Sequence, residues 1–306
     1  MFNEIIVNLL ELVETRVMRT REYMLNLMGR IPNFLSELMA VKPLREPMNL
    51  VAVDSGFTEI HYLGLRFTVV NTVTLVVKDG RSRLGMQFNI TNAGQDEVED
   101  YVLNLELRLG VNAMKLNHAD LLLLDGPLST RDRGLISNGP ILAHVKDVHG
   151  NKYSQAITDN DFREFMSESL AFIEEPLIMY LIMEYFRKHH NDNSSVLVSK
   201  PFTIWDSKPT IMGFYVQYTP GVVPIYVEYV GGDDPLKWVA RVAPLAVVPR
   251  LGYPAPLYIV DRVSRVNEDV KSMVRLVLEK LGGDALRELR GVYFSRSVND
   301  YVKGIY

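Results

Sequence analysis

Four carboxylates stand where this sequence would place ligands for a hard metal ion. Asp54 closes the short apolar run Val51-Ala52-Val53, and Asp125 closes the leucine run Leu121-Leu122-Leu123-Leu124. Glu106 lies in a helical stretch among Leu103, Leu105, Leu107 and Leu109, and Asp261 lies in a late helical stretch. A carboxylate at the end of a buried strand is held by the strand but faces the opening where the strand stops. Two such strands side by side, about 4.8 Å apart, let two carboxylates share one divalent cation, and all-oxygen ligands suit Mg²⁺ or Mn²⁺. Without a cation the paired charges repel each other. Each residue also has a plainer reading. Asp54-Ser55-Gly56 is ordinary turn chemistry, and Asp261 in a first helical turn complements the helix dipole. Glu106 fits either the polar stripe of its helix or a site.

The elements that must position these residues follow from pattern. Residues 1–29 repeat Ile5, Leu9, Leu12, Val13, Val17, Met24 and Met28 at helical spacing, and Gly29 and Pro32 stop the helix. A second short helix is expected over 33–41, followed by the proline-broken linker 42–47. Leu50–Val53 reads as a strand running into a small-residue turn, and 57–62 with 64–77 as a hairpin rich in β-branched residues. Asp79-Gly80 marks a tight turn before a strand over 84–90. A helix over 92–109 carries Glu106. The run 119–124 suits a strand buried on both faces. Residues 131–146 read as loop, where Arg131, Arg133 and Lys146 either line a substrate groove or are solvated. One long helix is expected over 161–190, bent at Pro176, and its terminal His189-His190 does not face one way. Val196–Ser199 is a further buried strand, followed by Lys200, which can meet a phosphate as a point charge. Strands are expected over 215–229 and 238–248, and the motif Gly252-Tyr253-Pro254 leads into the helix of Asp261.

Bulk properties bound the function. The chain has 306 residues, 47% hydrophobic and 23% charged, so it can bury a large core. A net charge of −4 argues against a histone-like protein and leaves room for a local basic groove. The absence of Cys excludes disulfides, thiolate metal sites and Cys nucleophiles, and fits the reducing cytoplasm. No signal peptide, membrane-spanning run or internal repeat is expected.

The order of the acids, strand-end Asp, hairpin, helical Glu, strand-end Asp and late-helix Asp, is the layout of an RNase H-like site. There, carboxylates clamp two metals around a scissile phosphate. More closely, the chain resembles the NurA nucleases of archaea. The resemblance rests on Val51-Ala52-Val53-Asp54-Ser55-Gly56, on Glu106 nineteen residues before Asp125 in Leu123-Leu124-Asp125-Gly126-Pro127-Leu128, on Val198-Ser199-Lys200, and on Gly252-Tyr253-Pro254-Ala255-Pro256-Leu257. It implies an α/β, RNase H-like mixed sheet flanked by helices over 48–281. A helical arm and linker precede it over 1–47, and a packed tail follows over 282–306. It implies a Mn²⁺-dependent deoxyribonuclease, with Mg²⁺ as a possible substitute, acting as single-strand endonuclease and 5′–3′ exonuclease. It further implies a homodimer, DNA end resection with a hexameric HerA-type ATPase, and no membrane. An alternative is a weak or inactive relative that binds DNA and docks on the ATPase. Carried over residue by residue, Asp54, Glu106 and Asp125 become catalytic metal ligands, Asp261 a fourth catalytic acid, and Lys200, Arg131 and Arg133 DNA contacts. Two departures stand out: the family usually has Asp-Gly-Ser at 54–56, and often His where this chain has Asp261.

Overall fold

The computed structural model describes residues 2–62, 65–91, 95–136, 139–146, 153–154, 157, 159–248 and 252–281. Backbone contacts gather into two units. One comprises Met1–Met48, Asp125–Ser129 and Ser137–Ala255, the other Asn49–Leu124, Thr130–Ile136 and Pro256–Tyr306. The tail expected to pack over 282–306 lies outside the described residues, as do Asn92 and Asn138.

In the second unit the β-branched runs become an antiparallel meander of β2 (Leu50–Tyr62), β3 (Leu65–Lys78) and β4 (Arg81–Thr91). Asp79 and Gly80 make the β3–β4 turn with φ of 50° and 74°, the left-handed pair that a two-residue hairpin needs. The chain returns through α2 (Gln95–Asn117) to β5 (Leu121–Asp125). β5 pairs in parallel with β2, Leu50 opposite Leu121 through Val53 opposite Leu124. The strand order is β5-β2-β3-β4. An antiparallel meander, a helix and a strand parallel to the first is the RNase H-like arrangement, and the expected α/β fold of a mixed sheet flanked by helices holds.

Both faces of this sheet are covered along β2, β3 and β5, while β4 is largely exposed. Val98, Val102 and Leu105, spaced by four and three along α2, pack on Val70 of β3. Val69 points the other way and packs with Ile60 and Val274, the latter on α7 (Glu268–Leu281). Between these layers Leu50, Val51, Ala52, Val53 and Leu121 through Leu124 are fully buried, which explains the unbroken apolar run of β5.

The first unit holds α1 (Phe2–Arg30), β1 (Leu38–Val41), β6 (Ile141–Val145), α3 (Asn160–Leu170), α4 (Glu175–His190), β7 (Val196–Ser199), β8 (Phe202–Trp205), β9 (Ile211–Gln217), β10 (Ile225–Val230) and α5 (Pro235–Val242). Its strands run in the order β1-β7-β9-β10-β6, with β8 beside β9, all antiparallel. Phe162, Phe165 and Met166 of α3 and Ile178, Met179, Ile182 and Met183 of α4 form its main core with Ile31, Phe34, Tyr215 and Tyr226. Buried polar groups are anchored. Glu175 accepts hydrogen bonds from the backbone of Tyr153 and Ser154 at 3.1 Å each and from the Tyr215 hydroxyl at 2.8 Å.

Several expectations change, each for a local reason. The short helix over 33–41 is instead a 3-10 turn, Ile31–Glu37, followed by β1, because Leu38 to Val41 pair with β7. The helix expected over 161–190 is two, broken after Leu170. Pro176 stands in the first turn of α4, where its missing N–H costs nothing, so it starts a helix and bends none. The strand expected over 238–248 is α5 and a 3-10 turn: Asp234 caps α5, accepting from Leu236 N at 2.9 Å, and Pro235 follows. The section read as loop between 131 and 146 contains β6. The late helix is two, α6 (Ala255–Ser264) and α7, so Asp261 sits near the C-terminal end of α6 and not in a first turn. Among the described residues, no helix is long and apolar enough to cross a membrane.

Candidate metal centre

β2 and β5 deliver two of the acids. Their parallel register sets Val53 opposite Leu124, so the next residue on each strand, Asp54 and Asp125, is a carboxylate. α6 delivers the third. One oxygen each from Asp54, Asp125 and Asp261 lie within 4.8 Å of one another. Asp54 is buried, and Asp125 and Asp261 are partly exposed. Three carboxylates so close repel when ionised, and a divalent cation among them relieves that repulsion. Oxygen-only donors from three separate backbone segments fit a hard cation of the Mg²⁺ or Mn²⁺ class.

The sequence builds this corner through Gly56, Asn71 and Ser264. β2 does not turn at Ser55-Gly56; it runs on to Tyr62. Gly56 has no positive φ to serve, and its role is steric: a Cβ there would lie 2.4 Å from the Ser264 carbonyl oxygen and 2.8 Å from its carbon. Opposite Gly56 on β3 is Asn71, whose side-chain amide donates to the carbonyls of Val263 and Ser264 at 3.1 Å each. These are orphan carbonyls at the C-terminal end of α6. With that end seated on β2 and β3, Ser264 Oγ lies 2.8 Å from Asp54 Oδ2 and 3.1 Å from the Asp261 carbonyl. Its single proton serves one or the other, and the bond to the carboxylate is the stronger. Gly56→Ala therefore forces a Cβ into the Ser264 backbone, which cannot give way as a side chain could. We expect it to destabilise the protein by about 1–3 kcal/mol and to weaken Mn²⁺ binding, read by urea unfolding and by titration calorimetry.

Glu106 takes a different place. It is buried on α2, and Arg131 NH2 donates to its Oε2 at 2.8 Å. Arg131 also donates to the Leu103 carbonyl. Its side chain is 0% exposed, so a DNA contact by Arg131 requires this pair to open. Arg133 is exposed in the 3-10 turn Arg133–Leu135. Lys200 follows β7 and holds Glu37 at 2.8 Å, with about half its side chain exposed (52%). The structure thus gathers Asp54, Asp125 and Asp261, and places Glu106 with Arg131.

The NurA domain profile matches residues 48–266, most of the chain. The chain belongs to the NurA family. Its fold is similar to the crystal structure of the NurA nuclease from Sulfolobus solfataricus, with 16% identity, a TM-score of 0.50, and coverage of 89% of this chain and 97% of that one. It is equally similar to a NurA structure bound to dAMP and manganese, at 10% identity, a TM-score of 0.50, and coverage of 89% and 96%. No curated protein matches the sequence. Against the NurA pattern, the order Ser55-Gly56 is explained by the close approach of α6 at Gly56.

Three further groups lie at this end of β5 in this NurA chain: Lys146, which the sequence offered as groove or surface, and Glu228 and His144, which it did not single out. Lys146, just past β6, donates to Asp125 Oδ2 at 2.5 Å and lies 4.9 Å from the centre of the Tyr253 ring. Glu228 on β10 is buried, and both its oxygens hold Ser129, through N at 2.7 Å and Oγ at 2.8 Å, tying down the turn after Asp125. His144 is fully buried on β6; its Nε2 lies 3.0 Å from the Tyr218 hydroxyl, and its backbone oxygen accepts from Gly126 N at 2.9 Å. The signal for His144 and Lys146 was the short run Ile141-Leu142-Ala143-His144-Val145 after Pro140.

Burial drives the His144 pKa down to about 3, with the Lys146 charge acting in the same direction. Its folded pKa is thus below the unfolded value, and the unfolded chain binds the extra proton between the two. The stability contributed by a neutral His144 is present above about pH 6.5 and is lost as pH falls toward 3. We expect His144→Gln to flatten the stability profile in that window, measured by urea unfolding at stepped pH. Superimposable pH slopes for parent and variant would contradict this.

Proposed function

We propose that this protein is a divalent-metal-dependent deoxyribonuclease that hydrolyses phosphodiester bonds, with Asp54, Asp125 and Asp261 as the metal ligands. The observation that carries the proposal is the convergence of these three carboxylates, one oxygen each within 4.8 Å. Family membership supports the same reading, as does the NurA structure that holds manganese beside a nucleotide. When bound, Mn²⁺ or Mg²⁺ supplies Lewis acidity: it offsets charge developing on phosphate oxygens and makes a nucleophile available at neutral pH.

The chain's own residues hold and orient. β2 and β5 fix the carboxylates of Asp54 and Asp125 on a buried sheet, where they lose little freedom. The Ser264 hydroxyl aims Asp54, and Arg265 holds Asp261 at 2.9 Å. We propose Glu106 as a further acid of the site, held by Arg131, and Lys200 and Arg133 as phosphate contacts. Single-strand endonuclease and 5′–3′ exonuclease action, a homodimer, and work with a hexameric HerA-type ATPase in end resection complete the proposal, in the cytoplasm and on the strength of family membership.

A second reading is a subunit that binds DNA and docks on the ATPase without cutting. It is favoured by Asp261, which stands where the family often has a proton-carrying His. The test is cleavage of single- and double-stranded DNA with Mn²⁺ and Mg²⁺. The first reading predicts cleavage by the parent and its loss in a folded Asp54→Ala variant. DNA binding without cleavage under either ion establishes the second.

A further inference from the structure

We infer that Lys146 contacts the scissile phosphate at the proposed centre, as a fixed cation beside the metal. The inference rests on the nuclease reading and extends it to a residue outside the carboxylate set.

Three features of the structure support it. First, Lys146 is placed by backbone and not by chance. It follows the last residue of β6, and that strand end is set against the end of β5 by the hydrogen bond from Gly126 N to the His144 carbonyl at 2.9 Å. Val145, the residue before it, is paired with Tyr226 of β10. The ammonium is thus delivered one residue past the end of β6, beside Asp125 at the end of β5.

Second, its ammonium sits on the carboxylate of a proposed ligand residue. The 2.5 Å bond to Asp125 Oδ2 puts the charge on one of the three carboxylates that converge. A cation there offsets part of the repulsion among them before a metal arrives. Were a divalent ion held by Asp125, Lys146 would share that carboxylate with it or give it up, and its charge would stay at the site. A phosphate bound at the proposed centre would be the anion next to it.

Third, Lys146 is poised and not buried. Its side chain is 41% exposed, against 15% for Asp125, so the stem can swing outward without unpacking the core. The Tyr253 ring, itself buried, lies 4.9 Å from the ammonium and holds it near the site by cation–π attraction when Asp125 lets go. A lysine serves this role better than an arginine, because a compact ammonium on a flexible stem can follow a phosphate as it changes shape.

The test uses the full chain, with Lys146→Met and Lys146→Arg. Mn²⁺ binding is measured by titration calorimetry, and single-turnover cleavage of a labelled single-stranded oligonucleotide is measured at saturating Mn²⁺. Lys146→Met is expected to cut about a hundredfold more slowly, the usual cost of losing one donor to a developing oxyanion. It is expected to bind Mn²⁺ as tightly as the parent or more tightly, since a competitor for Asp125 is gone. Lys146→Arg is expected to recover most of the rate. A residue that only positions Asp125 would behave differently: Mn²⁺ affinity and rate would fall together, and that result overturns the inference. A rate within threefold of the parent overturns it too. A parent protein that binds Mn²⁺ but cuts no DNA defeats the nuclease reading itself and this inference with it.

Discussion

Asp125→Asn will erase the stabilisation that Mn²⁺ gives the folded protein, while leaving the metal-free protein at least as stable as the parent. The reasoning is linkage. An ion that binds only the folded state stabilises it by about 2.7 kcal/mol when present at a hundred times its dissociation constant. The parent should therefore show a clear rise in melting temperature with Mn²⁺, and the variant little or none. Two opposed effects govern the metal-free comparison. The substitution removes one charge from three carboxylates packed within 4.8 Å, which relieves repulsion. It also removes the partner of Lys146, but that side chain is 41% exposed and can be solvated, so the loss is small. Cleavage should fall about a thousandfold or more, the upper range for losing one preorganised electrostatic group. A variant that still gains stability from Mn²⁺ would remove Asp125 from the ligand set.

The second large effect concerns Arg131 and Glu106. Their side chains are 0% and 4% exposed, and a hydrogen bond of 2.8 Å joins them. Arg131→Met leaves a carboxylate buried against α2 without its cation, and the expected cost is about 3–5 kcal/mol. Removing both charges together, as Glu106→Leu with Arg131→Met, should restore most of that stability, because a buried ion pair replaced by apolar groups is close to neutral. Cleavage separates structure from chemistry. Glu106→Gln keeps an oxygen for Arg131 and should lose only about 1–3 kcal/mol. If Glu106 is a further acid of the site, that variant should fold and yet cut DNA far more slowly. Parent-like cleavage by Glu106→Gln would leave Glu106 as the partner of Arg131 and nothing more.

What could be read from the sequence, and what could not, divides along physical lines. β2 and β5 were visible because a strand buried on both faces writes a continuous apolar run, and the acid that ends such a run is conspicuous. The order meander, helix, strand was enough to anticipate the RNase H-like sheet. The hidden features depend on tertiary contact. Gly56 looked like a turn residue because small residues after Asp resemble turn chemistry, whereas the actual constraint is a carbonyl of α6 arriving from two hundred residues away. Asp261 looked like a first-turn residue because α6 and α7 share one apolar periodicity across the break at 265–267. Arg131, read as a groove or surface charge, is buried by its pairing with Glu106, which lies one helix back. Lys146 followed an apolar run too short to mark β6, so its bond to Asp125 left no trace in the pattern. Pro176 and Asp234 show the opposite lesson: a Pro in a first turn and an Asp cap before Pro235 are local helix-start signals that need no tertiary contact.

The most direct test of the central claim is a crystal of the parent protein soaked in Mn²⁺ and measured at the manganese absorption edge. The expected result is an anomalous peak bridged by oxygens of Asp54, Asp125 and Asp261, with Lys146 moved off Asp125 Oδ2. A site empty at high Mn²⁺, with the three carboxylates splayed apart and Lys146 still on Asp125, would contradict it.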